Sequence, residues 1–119
     1  MIDEIKKILR RESESEKCAL ASDPRTPRSK LLELANSKNI SVKIRIAHRL
    51  EIDPEIIEVL VSNENLNVRY ALINKEDCGS IPSIYLEKLT EDPIEFVREK
   101  AKEILAERTQ EGIYSFSFF

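Results

Sequence analysis

The sequence predicts an all-α fold built from repeated helix pairs, and three observations carry that expectation. The composition is helical: two glycines, no tryptophan, 41% hydrophobic and 34% charged residues, with Glu, Lys, Leu, Ile and Ala abundant. Prolines recur as punctuation, at Pro24, Pro27, Pro54, Pro82 and Pro93. A valine followed by a basic residue recurs as well, at Val42-Lys43, Val68-Arg69 and Val97-Arg98, with spacings of 26 and 29 residues. A period of this size marks supersecondary units that stack, since none can bury its apolar stripe alone.

The same shifts carry Leu31 and Leu34 onto Ile57 and Leu60, and those onto Leu86 and Leu89. Shifting back by 26 puts Leu31 and Leu34 on Ile5 and Ile8, and Ile46 on Leu20. Four helix pairs therefore fit, over approximately 1–22, 23–50, 51–77 and 78–108, in one domain of residues 1–110 followed by an aromatic tail at 111–119.

In the first copy, Ile2, Ile5, Ile8 and Leu9 form a helical stripe. The polar run from Arg10 to Glu16 breaks it, and Cys18, Leu20 and Ala21 supply a second helix. Glu16 occupies the valine position, as suits a terminal unit whose outer side meets water. The second copy opens on Asp23-Pro24-Arg25-Thr26-Pro27, with Thr26 as the N-cap and Pro27 in the first turn. Its helices are expected at about 27–35, presenting Leu31, Leu32 and Leu34, and at 41–50, burying Val42, Ile46 and Leu50.

In the third copy Asp53 caps a helix with Pro54 at its first position, and Ile56, Ile57 and Leu60 line the apolar face. Val68, Leu72 and Ile73 belong to its partner, which ends near Asn74. Residues 75–80 absorb the longer spacing of the last copy. There Pro82 restarts helix, Glu91-Asp92-Pro93 breaks it, and the final helix is expected at about 96–107.

Composition and motifs exclude several classes. No run approaches the roughly 20 apolar residues of a membrane span, and the mixed-charge start is no signal peptide, so the expected location is cytoplasmic. Cys18 and Cys78 have neither CxxC spacing nor a disulfide framework. His48, the single histidine, has no nucleophile at a meaningful spacing, and no Gly-rich phosphate loop, HExxH or DxDxDG is present. No catalytic residue, metal or cofactor is expected. The net charge of −3 hides an asymmetry: residues 1–50 hold 12 Lys and Arg against 7 Asp and Glu, a net +5, while residues 51–119 hold 7 against 15, a net −8.

The helix pairs, their opening prolines and the Val-Arg near the start of each second helix resemble HEAT-like repeats. The phrases ASDPRTPRSKLLELANSKNISVKIRIA and LVSNENLNVRYALIN are similar to the leucine-rich-repeat-variant (LRV) branch, and the resemblance spans most of residues 1–108. It implies a short right-handed α-α superhelix of about four helix pairs, a HEAT/ARM-like solenoid. It also implies that an acidic turn residue pairs with the Arg opening the second helix. The matching positions are Asp92 with Arg98, Asn63 with Arg69, and Ser37 with Lys43, and the last copy alone has both partners. The LRV prototype carries an iron–sulfur centre, but the corresponding region here has one cysteine, Cys18, where a cubane needs about four thiolates.

The resemblance further implies a non-enzymatic protein-binding scaffold or adaptor whose second helices line the concave face. Positions two and six past each valine are then Ile44 and His48, Tyr70 and Asn74, and Glu99 and Glu103. A nucleic-acid-binding module is the alternative, through a basic patch of Lys43, Arg45 and Arg49 near Arg25, Arg28 and Lys30. Bilin lyases also use HEAT-like repeats, which makes an accessory factor or lyase-like chaperone a second alternative. Tyr114, Phe116 and Phe118 in the tail alternate with a strand-like period and, with Phe119, are expected to cover the solenoid end or to contact a second copy in a homodimer.

Overall fold

The computed structural model describes residues 12–75, 78, 79 and 81–117, with the side chains of 110–117 outside the description. Among these residues every regular element is a helix. The order is α1 (Glu14–Ser22), α2 (Arg28–Ala35), α3 (Ile40–Ala47), α4 (Pro54–Val61), α5 (Leu66–Ile73), α6 (Ser83–Leu89) and α7 (Glu95–Ser117). The expected stripe at Ile2, Ile5, Ile8 and Leu9 lies outside the described residues.

Most of these helices have only two turns, too few to persist alone in water, so their stability must come from packing. Their starts are fixed locally. The side chains of Ser13, Asn39, Asp53 and Asn65 accept hydrogen bonds from the N–H groups of Glu16, Val42, Glu55 and Asn67, which the first turns leave without helical partners. Thr26 departs from its expected role, because Pro27 occupies the N-cap of α2. The buried Thr26 hydroxyl instead donates to the Leu20 carbonyl at 2.6 Å, closing the end of α1.

Each helix contacts the next but one in the chain, and each but α5 also contacts the one that follows it. Thus α1, α3, α5 and α7 touch in sequence, and so do α2, α4 and α6. One apolar core runs between these two sets. The register-matched Val42, Val68 and Val97 are all fully buried, as are Ile46, Leu72 and Ala101 four residues later. Leu34, Leu60 and Leu89 face them from the other set. A fully buried aliphatic side chain of this size contributes about 1.5–3 kcal/mol.

Two expectations fail on helix length. Leu50 is 71% exposed rather than buried, because α3 ends at Ala47 and the i+8 position no longer follows the helical face. The tail's strand-like alternation is overturned too: the backbone of α7 continues helical to Ser117. Where Tyr114 and Phe116 direct their rings lies outside the described residues, and so do Phe118 and Phe119 entirely.

Hydrogen bonds between helix pairs follow the sequence period. Arg49 Nη1 donates to the carbonyls of Ala21 (2.9 Å) and Asp23 (3.0 Å), and Lys75 Nζ donates to those of Ala47 (3.1 Å) and Arg49 (2.8 Å). Donors and acceptors alike are displaced by 26 residues, so one repeat's bond is copied onto the next. In the last pair Arg108 takes this part, bonding the Cys78 carbonyl at 2.7 Å and the Ser83 hydroxyl at 2.8 Å.

Candidate functional site

The face expected to bind a partner is carried by α3, α5 and α7. Ile44 and Tyr70, each two residues past a buried valine, are half-buried and pack against the core edge. His48 and Asn74 are exposed C-caps of α3 and α5. Glu99 and Glu103 are exposed on α7 and make i,i+3 ion pairs with Lys102 (3.5 Å) and Lys100 (4.0 Å). Such pairs contribute little to stability in water.

Phe96 was not among the residues expected at this surface, yet it completes it. Its ring meets that of Tyr70 edge-to-face, 87° between planes and 5.0 Å between centroids, while Phe96 itself remains 50% exposed. Edge-to-face geometry sets the positive ring edge against the negative ring face. The available signal was register: Phe96 immediately precedes the valine of its copy, and Tyr70 follows the valine of the preceding copy by two, so stacking the helices brings them together.

The basic patch is largely matched by the protein's own acceptors. Arg25 pairs with Asp23 at 3.1 Å, and Arg28 with Asp53 at 2.7 Å and with Glu55. Lys30 pairs with Glu12 at 2.7 Å and Glu33 at 3.4 Å. Arg45 donates to the Ser22 hydroxyl at 3.2 Å, and Arg49 clamps the two carbonyls already described. The carboxylates respond: the Arg25 side-chain hydrogen bond holds Asp23 below the usual range, and that of Arg28 does the same to Asp53. Among the six cations of the patch, Lys43 is the one whose side chain makes no hydrogen bond or ion pair to a described residue.

The turn residues depart from the pairing that the HEAT resemblance implies. Arg98 does not bind the Asp92 carboxylate; its Nη1 donates to the Asp92 carbonyl at 2.8 Å. The carboxylate turns to the preceding helix pair, where Arg69 donates through Nε at 2.6 Å to Oδ2 and through Nη2 at 3.0 Å to Oδ1. Arg69 Nη1 also bonds the carbonyls of Asn63 (2.9 Å) and Glu64 (3.0 Å), so one guanidinium fastens its own turn to the next. Both partners are buried, at 8% and 6% exposure. Burial pushes the Asp92 carboxyl up, but the Arg69 hydrogen bond, the Ile94 N–H and the charges of Arg69 and Arg98 outweigh it and hold it below its ordinary value.

Comparison with models of protein families, with curated proteins and with solved structures found no match. The site therefore stands on its own geometry. No helix among the described residues is long and apolar enough to cross a membrane, and no group of three or more His, Cys, Asp or Glu among them is placed to hold a metal ion. What the arrangement offers chemically is contact: a half-exposed aromatic pair, exposed polar helix ends, and open grooves between the turns.

Proposed function

We propose that the chain is a short right-handed HEAT-like solenoid of about four helix pairs, of the LRV type, acting as a non-enzymatic protein-binding scaffold or adaptor. The supporting observation is the Tyr70–Phe96 pair: two aromatic rings joined across α5 and α7, one of them half-exposed, on the helices that a solenoid presents along its concave face. Aromatic side chains of this kind are enriched at the energetic centres of protein interfaces, because a rigid ring buries a large area at low entropic cost. Ile44 and the exposed His48 extend the same surface toward α3. The nucleic-acid reading is weaker, since five of the six cations behind it already have acceptors within the chain.

The test is affinity capture from native lysate with quantified binding, for the wild-type chain beside Tyr70→Ala, Phe96→Ala and Ile44→Ala. Each variant is expected to weaken capture of the same partner by about tenfold or more, a hot-spot effect, with a smaller effect on melting temperature. A large loss of stability with unchanged affinity would show that the aromatic pair is packing only, and the reading would fail.

A further inference from the structure

The turns between paired helices carry register-matched side chains at Ser37, Asn63 and Asp92. Each accepts a hydrogen bond from the backbone N–H two residues on: Asn39 to Ser37 Oγ at 3.3 Å, Asn65 to Asn63 Oδ1 at 2.9 Å, Ile94 to Asp92 Oδ1 at 2.9 Å. The three side chains are thus held alike. At Asp92 the second oxygen receives Arg69. One helix pair earlier the corresponding residues are Asn63 and Lys43, and both line a single groove of about 540 Å3 with Lys38, Ile40, Glu64 and Asn65. With its Oδ1 engaged by Asn65, the remaining amide atom of Asn63 is Nδ2, a donor that a lysine cannot use. Neither the Lys38 nor the Lys43 side chain makes a hydrogen bond or ion pair to a described residue, although Lys43 is half-buried.

We propose that this groove, between the turns at 36–39 and 62–65, binds a carboxylate side chain from an acidic segment of a partner protein, which supplies the negative group that Asn63 lacks. The inference rests on the protein-binding reading above and specifies the chemistry of the partner. Asp92 seated on Arg69 is the precedent within the molecule for a carboxylate at this register. Ile40, 40% exposed at the groove, offers an apolar contact to the methylenes of an entering Glu or Asp. Glu64 makes no ion pair with either lysine, and its charge disfavours a continuous polyanion that would lay phosphates along the whole groove. A short segment that places one carboxylate between Lys38 and Lys43 avoids that repulsion.

The experiment titrates the isotope-labelled full chain with an eight-residue peptide of Gly, Ser and two Glu, followed by amide chemical shifts, beside the same peptide with Gln for Glu. The Glu peptide is expected to shift Lys38, Ile40, Lys43 and Asn63 and the Gln peptide to leave them in place. Lys43→Gln should weaken the interaction about tenfold, equivalent to about 1.4 kcal/mol, while the fold is retained. Asn63→Asp should weaken it less, by about fivefold, by giving Lys43 an internal partner. Equal shifts with both peptides, unchanged binding in both variants, or no shift at about 10 mM peptide, where even a millimolar complex saturates, would each overturn the proposal. So would groove shifts appearing with a short DNA duplex at lower concentration than with the Glu peptide. These outcomes leave the Tyr70 and Phe96 variants to judge the scaffold reading separately.

Discussion

The junction between α5 and the α6–α7 turn and the junction between α3 and the α4–α5 turn occupy the same register, yet they are closed differently. In the first, a buried guanidinium and a buried carboxylate make two hydrogen bonds. In the second, a lysine and an amide border an open groove. The backbone bonds that hold the two turns are alike, so the difference lies in two side chains. The first junction has its charge satisfied internally, and the second leaves a cation available. One architecture thus separates a structural joint from a surface able to recognise something, through Asp92 against Asn63 and Arg69 against Lys43.

The largest effect is expected from breaking the closed joint. Asp92→Asn retains the side-chain shape and the Ile94 hydrogen bond, but it removes the charge and can set an amide donor against the Arg69 guanidinium. Removing one partner of a buried pair strands the other, at a cost of about 3 kcal/mol or more. Urea unfolding at pH 7 should show that loss as a lower midpoint with an unchanged slope. A loss within that of an ordinary surface substitution, about 0.5 kcal/mol, would mean that the joint is not closed as described.

Acid should erase the distinction next. Because the folded Asp92 carboxyl lies below its ordinary value, its stabilisation is complete above the unfolded pKa of about 3.9 and is lost as pH falls through the lower folded value. Wild-type stability should therefore fall toward that of Asp92→Asn on acidification, the gap closing below about pH 4. Asp23 and Asp53 are also held low by their arginines. Their acid-dependent contribution is common to both proteins and cancels in the difference. A gap that stayed constant to low pH would assign the variant's cost to shape rather than to charge.

Much of the helical frame was legible in the sequence, because it rests on periodicity and stereochemistry. Val42, Val68 and Val97 are buried as their spacing predicts, and Asp53 with Pro54 opens α4 as that dipeptide should. Leu50 misled because a helical period says nothing of where the helix stops; three residues past Ala47 the pattern has no helix to act through. The alternating tail misled for the opposite reason, since a period of two in a short aromatic run did not stop α7 from continuing to Ser117. The site was harder to read still. Arg69–Asp92, Tyr70–Phe96 and the Arg49 clamp all join residues 23–28 positions apart, and only the stacking of helix pairs decides which neighbour each side chain meets. The repeat register did contain these partners, provided that residues were compared across copies rather than within one.

The smallest expected effect is the most discriminating, because it converts the open junction into a copy of the closed one. Asn63→Asp retains the oxygen that accepts from Asn65 N–H and replaces Nδ2 with a second carboxylate oxygen at the register where Asp92 receives Arg69. Lys43 is more flexible and better solvated than Arg69, and it presents a point charge instead of a fork, so the gain should stay at or below about 1 kcal/mol. Three features would mark that gain as an ion pair. It should shrink in about 1 M salt, where the Debye length falls to roughly 3 Å; it should vanish below about pH 4 as the new carboxyl protonates; and it should be absent when Lys43→Gln is combined with Asn63→Asp, a coupling that a double-mutant cycle measures directly. If the gain instead survived with Lys43 removed, the aspartate would be acting on the turn backbone alone, and the equivalence of the two junctions would be one of chain path without one of charge.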